Sequence, residues 1–140
     1  GGGTSVNPIR RFTGRGNLVW GARTLAGNDN EWRYVNVRRF ALFLEQSLGR
    51  GTQWAVFEPN DANTWARLRA AVESFLFDLW RQGALQGSKP AQAFTVAAGL
   101  GTTMTQNDID QGRLIVQVGF APLKPAEFII LRIELLSQSA

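Results

Sequence analysis

The sequence of 140 residues contains no cysteine and no histidine. The lack of cysteine excludes disulfide bonds, thiolate metal sites and cysteine nucleophiles. The lack of histidine excludes a Ser–His–Asp triad, histidine-ligated zinc and the usual general base near neutral pH. No apolar run reaches the roughly 18 residues that a membrane-spanning helix needs. The composition therefore argues against an enzyme and favours a protein that acts by packing or assembly.

The residues that are present suit a single domain with one hydrophobic core. Hydrophobic residues make up 44% of the chain and charged residues 19%, which is too apolar for a disordered segment. The formal net charge is +4, and lysine occurs only at Lys89 and Lys124, so arginine supplies most of the positive charge. Arginine suits bidentate pairing with carboxylates. Two interpretations stay open, a basic surface for an acidic partner and ordinary solvated or ion-paired charges.

Two helices are predicted from apolar residues at helical spacing. The first begins at an N-cap, Asn36, and its apolar stripe comprises Val37, Phe40, Ala41, Leu44 and Leu48. The second helix covers 61–82, with Asn60 or Asp61 as its cap and Gly83 just after its end. Its stripe comprises Trp65, Leu68, Val72, Phe75, Leu76 and Leu79.

Short apolar or alternating segments predict five strands, at 17–25, 52–57, 93–97, 113–120 and 127–136. With the helices, the order is strand, helix, strand, helix, strand, strand, strand. This order predicts an α/β or α+β fold in which two helices pack on one mixed β-sheet. We expect three regions, an N-terminal arm over 1–16, a core domain over 17–126, and a last strand with a C-terminal arm over 127–140.

The last strand is the most informative segment. One face carries Ile129, Leu131, Ile133 and Leu135, and the other carries Phe128, Ile130, Arg132, Glu134 and Leu136. Ten residues span about 33 Å, which is longer than strand 113–120, and the excess would expose an unprotected edge. Either the strand belongs to its own sheet, or the part beyond about Leu131 completes a neighbour's sheet. On the second interpretation, deletion of 131–140 leaves a folded domain that no longer polymerises.

Five motifs in succession resemble one known family. They are Asn7-Pro8-Ile9-Arg10, Gly16-Asn17-Leu18-Val19-Trp20-Gly21-Ala22-Arg23-Thr24, Trp32-Arg33-Tyr34-Val35-Asn36-Val37-Arg38-Arg39, Val56-Phe57-Glu58-Pro59-Asn60-Asp61 and Gly119-Phe120-Ala121-Pro122-Leu123-Lys124-Pro125-Ala126-Glu127-Phe128. Together they resemble the C-terminal domain of contractile-tail sheath proteins, which occur in tailed phages, R-type tailocins and phage-tail-like injection systems. The resemblance extends from about Val6 to Glu134.

The resemblance implies a structural role without catalysis. Sheath subunits stack in rings around a rigid inner tube and contract to drive the tube through a cell envelope, with this domain at the inner radius. Terminal arms of neighbouring subunits add strands to its sheet, so we expect extended arms for strand exchange. The expected inter-subunit strand comprises Phe128, Ile129, Ile130, Leu131, Arg132, Ile133, Glu134, Leu135 and Leu136.

The resemblance also implies the partners and the location. We expect a homo-oligomer of stacked rings around an inner tube protein, in a virion tail or a phage-tail-like particle assembled in the bacterial cytoplasm. No cofactor, metal, nucleic acid, small-molecule substrate or membrane insertion is expected. Candidate contacts with the tube or with other subunits are Arg10, Arg11, Arg15, Arg67 and Arg81. Family members usually carry further domains, so we expect this chain to be part of a longer protein.

Other interpretations of single motifs are weaker. Arginines together with Trp20, Trp32, Trp54, Trp65 and Trp80 suit a nucleic-acid-binding module, although the net charge is modest for one. Glu58 and Asp61 suit a carboxylate hydrolase, but a turn with a helix cap explains them more simply. The segment 107–112 has the polar start of a calcium loop without its terminal bidentate glutamate. One of Arg38 and Arg39 is expected to face a carboxylate within the fold.

Overall fold

The computed structural model describes residues 9–12, 28–122 and 129–137. The helices are α1 (Asn28–Gly51), a 3-10 helix (Gln53–Phe57), α2 (Ala62–Arg81), α3 (Pro90–Ala93) and α4 (Gln106–Asp110). The strands are β1 (Ile9–Phe12), β2 (Phe94–Ala97), β3 (Arg113–Phe120) and β4 (Ile129–Leu136). This is an α+β fold, as the sequence predicts. The strand predicted at 17–25 lies outside the described residues.

Helix α1 is longer than its sequence pattern predicts. The predicted stripe is correct, because Val37, Ala41, Leu44 and Leu48 are all buried. The predicted start is wrong, since the helix begins at Asn28 and Asn36 lies within it. Residues 28–35 contain no glycine or proline, so nothing stops the helix from extending towards its N-terminus once a turn has formed.

The predicted strand over 52–57 is also wrong, because this segment forms the 3-10 helix. The Ala55 N–H donates to the Thr52 carbonyl over 3.0 Å, and Ala55 and Val56 are buried in the core. A short apolar run has no periodicity that separates a strand from a single buried helical turn. The chain therefore turns here without contributing to the sheet.

Helix α2 has almost the bounds that the sequence predicts. The Asp61 carboxylate accepts the Thr64 N–H at 3.1 Å and caps the helix. Buried side chains on its stripe are Trp65, Leu68, Val72 and Leu76. Gly83 follows the helix with a φ of 87°, a left-handed conformation that favours glycine.

The sheet has the order β1-β4-β3-β2, and every neighbouring pair is antiparallel. The expectation of a mixed sheet is therefore wrong in its strand directions. Strands β3 and β4 are separated by only eight residues, 121–128. A connection this short joins antiparallel strands, since parallel strands need a longer crossover.

The register between β3 and β4 is fixed by their apolar runs. The two strands pair over their whole length, from Phe120 opposite Ile129 to Arg113 opposite Leu136. The core-facing side chains of both strands are buried, and these are Leu114, Val116, Val118, Phe120, Ile129, Leu131, Ile133 and Leu135. A slip by two residues would bring Glu127 or Ser137 into a buried position. Burying either polar side chain would cost free energy, so the observed register is favoured.

One expectation about the last strand is wrong for the single chain. Pairing within the chain does not stop near Leu131, because β4 pairs with β3 as far as Leu136. The other edge of β4 is also used: Ile9 lies opposite Leu135, and Phe12 lies opposite Ile133. Strand β4 is thus an interior strand here, and β1 falls within the predicted N-terminal arm.

Candidate assembly surfaces

The first candidate surface is the edge of β4 that pairs with β1. The Ser137 N–H donates to the Gly112 carbonyl at 2.7 Å, which continues the β3–β4 ladder. Hydrogen bonding alternates along an antiparallel pair, so the backbone groups of Ile130, Arg132 and Glu134 point to the β1 side. Strand β1 has four residues and β4 has eight. This edge of β4 is therefore longer than the strand that occupies it.

The sheet face away from the two long helices carries a polar cluster. The Arg113 guanidinium donates to Asp108 Oδ1 at 2.7 and 3.0 Å and lies 3.6 Å from Glu134 Oε2. Hydrogen bonds from the Thr105 backbone N–H and from Arg113 hold the pKa of Asp108 below its usual value. The cluster ties α4 to β3 and β4. The calcium interpretation of 107–112 is unsupported, because the Asp108 oxygens are engaged by Thr105 and Arg113.

The turn before α2 uses its polar groups in structural contacts. Asn60 donates to the Arg113 carbonyl at 3.0 Å and accepts from Trp65 Nε1 at 2.6 Å. The Glu58 carbonyl accepts from Ser137 Oγ at 3.2 Å, while its carboxylate lies 3.0 Å from Arg67. With Asp61 capping α2, the turn with a helix cap is confirmed.

The second candidate surface is the solvent-exposed face of α2, which carries Arg67, Ser74, Asp78 and Arg81. Arg67 pairs with Glu58, and the Arg81 guanidinium lies 5.9 Å from the centroid of the Phe77 ring. These two candidate arginines lie at opposite ends of the helix.

The remaining candidate arginines lie elsewhere. Arg10 and Arg11 belong to β1, and Arg15 lies outside the described residues. The expectation for Arg38 and Arg39 is wrong, because both are exposed and neither forms an ion pair with a carboxylate in the described part of the chain.

Exposed hydrophobic side chains form a third set that the sequence patterns did not single out, apart from Phe77. They are Leu42, Phe43, Phe57, Phe77 and Leu100. Phe57 is the most exposed, at 69%. The sequence does not reveal the exposure of Phe57, because its segment has the pattern of a strand. Trp54 and Phe57 are three residues apart, and this spacing places them on one side in a 3-10 helix but not in a strand.

Trp54, Trp65 and Trp80 take part in packing. Trp65 is buried and bound to Asn60, Trp80 donates to the Gly87 carbonyl at 2.8 Å, and Trp54 lies beneath Arg67. Within 9–12, 28–122 and 129–137, no group of three or more acidic side chains could hold a metal ion. No helix in those ranges is long and apolar enough to cross a membrane.

Comparison with known proteins identifies the family. The family model of the phage tail sheath C-terminal domain matches residues 27–135. The chain therefore belongs to the phage tail sheath C-terminal domain family. Among curated proteins, the tail sheath protein of Vibrio phage KVP40 is 22% identical over 126 residues, and that of Enterobacteria phage T4 is 28% identical over 72 residues. These alignments cover 90% and 51% of this chain.

Solved structures show the same relationship at higher identity. A chain in the cryo-electron-microscopy structure of the anti-feeding prophage baseplate is 48% identical, with a TM-score of 0.64 over 90% of this chain. A chain in the contracted sheath complex of an extracellular contractile injection system is 54% identical, with a TM-score of 0.63 over 80%. The matches span 35% and 31% of those chains, and 18% and 11% of the curated relatives. None of these relatives supports the nucleic-acid alternative.

Proposed function

We propose that this chain is the polymerising domain of a contractile tail sheath subunit. Copies stack in rings around an inner tube, and contraction of the rings drives the tube through a cell envelope. The observation that carries the proposal is the family match over residues 27–135, together with relatives drawn from sheath and baseplate complexes. The role is structural and requires no catalytic group. Its place is a phage tail or phage-tail-like particle, assembled in the bacterial cytoplasm.

Strand exchange links neighbouring copies in this proposal. A second copy offers an identical β3, so the segment from Phe128 to Leu136 can form the same ladder on a neighbour that it forms on its own chain. Such a swap keeps the buried apolar contacts and changes only which chain supplies them. The connection 121–128 spans at most about 28 Å when extended, which sets the reach of the donated strand. The arm that contains β1 is the second exchangeable segment, since it occupies the other edge of β4.

Contact with the inner tube is assigned to the C-terminal end of the exposed α2 face. Arg81 is exposed there, and its guanidinium lies over the Phe77 ring. Among the residues that the structure describes, it forms no ion pair with a carboxylate. An arginine in this state is available for a carboxylate of a partner. Arg10, Arg11 and Arg15, in the predicted N-terminal arm, are further candidates for such contacts. The same exposed face also carries Asp78, so the electrostatic attraction for an acidic partner is confined to the surroundings of Arg81.

Introduced cysteines test strand exchange directly, because the chain has none of its own. Gln117 lies opposite Arg132 at a site where the two strands share no backbone hydrogen bond, and there the Cα atoms are about 4.5 Å apart. The Gln117→Cys and Arg132→Cys variants are made as separate chains, mixed, assembled and oxidised. Exchange predicts a covalent dimer that contains one chain of each kind.

A matched control uses Thr95→Cys with Arg132→Cys, since β2 and β4 are separated by β3 and lie about 10 Å apart. This mixture is expected to give no dimer. A third sample is one chain that carries both Gln117→Cys and Arg132→Cys. If this chain cross-links within itself while the mixture of single variants gives no dimer, strand donation is wrong while the sheath role stands. Electron microscopy tests that role separately, and the expected particles are hollow striated cylinders.

A further inference from the structure

The 3-10 helix places two aromatic side chains on one face. Residues three apart eclipse each other in this geometry, so Trp54 and Phe57 lie on the same side of the segment. Ala55 and Val56 point into the core and anchor it. Phe57 has the highest exposure of the large hydrophobic side chains that the structure describes. A large ring held in water on an anchored segment is suited to contact with another surface.

A charged pair completes the surface around these rings. The Arg67 guanidinium lies 4.9 Å from the centroid of the Trp54 ring, and its Nη2 is 3.0 Å from Glu58 Oε1. The two charged side chains remain 47% and 39% exposed. Aromatic residues and arginine are the residues most enriched in interface hot spots. We name Trp54, Phe57, Glu58 and Arg67 the Phe57 platform.

The platform adjoins the end of the sheet where β1 begins. The Glu58 carbonyl accepts from Ser137, the residue that follows β4. On the other edge of β4, Ile9 lies opposite Leu135, and β1 is antiparallel to β4. The first residue of β1 therefore lies at the end of β4 that is followed by Ser137, next to Glu58.

We propose that the Phe57 platform docks the segment Val6–Pro8 of a second copy, as that copy inserts its β1 strand along β4. The inference rests on the proposed strand exchange. Val6-Asn7-Pro8 carries no charge, which matches a platform whose own charges are paired with each other. Proline fixes φ near the value of an extended polyproline helix, and extended proline-rich segments dock in grooves lined by aromatic side chains. The backbone ladder supplies affinity, and the platform adds side-chain specificity at the point of entry.

A photo-reactive benzoylphenylalanine in place of Phe57 identifies the occupant. Assembled cylinders are prepared from equal amounts of ¹⁴N- and ¹⁵N-labelled chains, irradiated and digested with trypsin. The first cleavage site is Arg10, so one peptide, Gly1–Arg10, carries the whole proposed segment. We expect this peptide cross-linked to Gly51–Arg67, with half of the products containing one peptide of each isotope. Cross-links within one chain only, to the tube protein, or to any other segment would overturn the proposal.

Two surface variants provide a second measurement. Phe57→Ser removes the platform's exposed ring, and Leu100→Ser is the control, since Leu100 is 54% exposed in a turn outside the platform. Both variants are expected to melt like the parent protein. Phe57→Ser should reduce the yield of cylinders about tenfold, the effect of losing one hot-spot side chain, and Leu100→Ser should not reduce it. Full yield from Phe57→Ser overturns the docking proposal but not the sheath function, whereas a parent protein that forms no cylinders overturns both.

Discussion

Deletion of 131–140 is expected to unfold the domain. It removes Leu131, Ile133 and Leu135, none of which is more than 1% exposed. Truncation of one buried aliphatic side chain costs about 2–5 kcal/mol, so the loss of three costs about 6–15 kcal/mol. The whole free energy of unfolding of a domain is about 5–15 kcal/mol. The sequence pattern led us to expect that the truncated domain stays folded and only loses polymerisation. The structure leads to the opposite expectation.

The assay is urea unfolding followed by circular dichroism and tryptophan fluorescence. The truncated chain should show no cooperative transition, and a synthetic peptide of residues 127–140 should restore one by pairing with β3. Single variants give the matched control. Leu131→Ala should lower the free energy of unfolding by about 2–5 kcal/mol, whereas Leu136→Ala, on the half-buried face, should lower it less. A truncated chain that melts cooperatively near the parent temperature would refute the reasoning.

Two further predictions concern the polar contacts around β3. The pKa of Asp108 is lowered in the folded state, so its contribution to stability is present above the usual aspartate pKa of about 3.9 and is lost as the pH falls through the folded value. Urea unfolding between pH 2 and 6 should therefore show a shallower loss of stability in acid for Asp108→Asn than for the parent; equal slopes would contradict this. Asn60→Ala leaves the buried Trp65 indole N–H without its acceptor and should cost about 1–3 kcal/mol, whereas Asn107→Ala, at an exposed position on α4, should cost less. An Asn60→Ala protein as stable as the parent would show that the turn is not held by this bond.

Secondary structure is predicted best from the sequence where the spacing of apolar side chains agrees with the residues that start and end an element. Helix α2 combines a full apolar stripe, an aspartate cap and a glycine end, and its bounds are recovered to within about one residue. Strand β3 is recovered over 113–120, although Ile115 on its second face is buried as well. The start of α1 is missed because Asn36 has the chemistry of a cap, while helix propagation through residues 28–35 depends on context that one residue does not reveal.

The assembly surfaces are predictable only in part. The apolar alternation of 129–136 identifies a strand with one buried face, but not which chain supplies the strands at its edges. The Phe57 platform depends on a long-range contact, since Arg67 reaches back to Trp54 and Glu58 from the next helix. Such a surface arises from the packing of α2 against the 3-10 helix. Neither segment shows it alone.

In the proposed lattice, the β3–β4 ladder is the link that holds neighbouring copies together while the rings move. The ladder buries the same side chains whether β4 comes from its own chain or from a neighbour, so the choice depends on the connection 121–128 and on subunit concentration. Within the proposed lattice, each domain then moves as a rigid body while the exchanged strand keeps its register. Slippage is opposed at both ends of the apolar run, where Glu127 and Ser137 would enter the core. The strength of the proposed link thus comes from ordinary core packing.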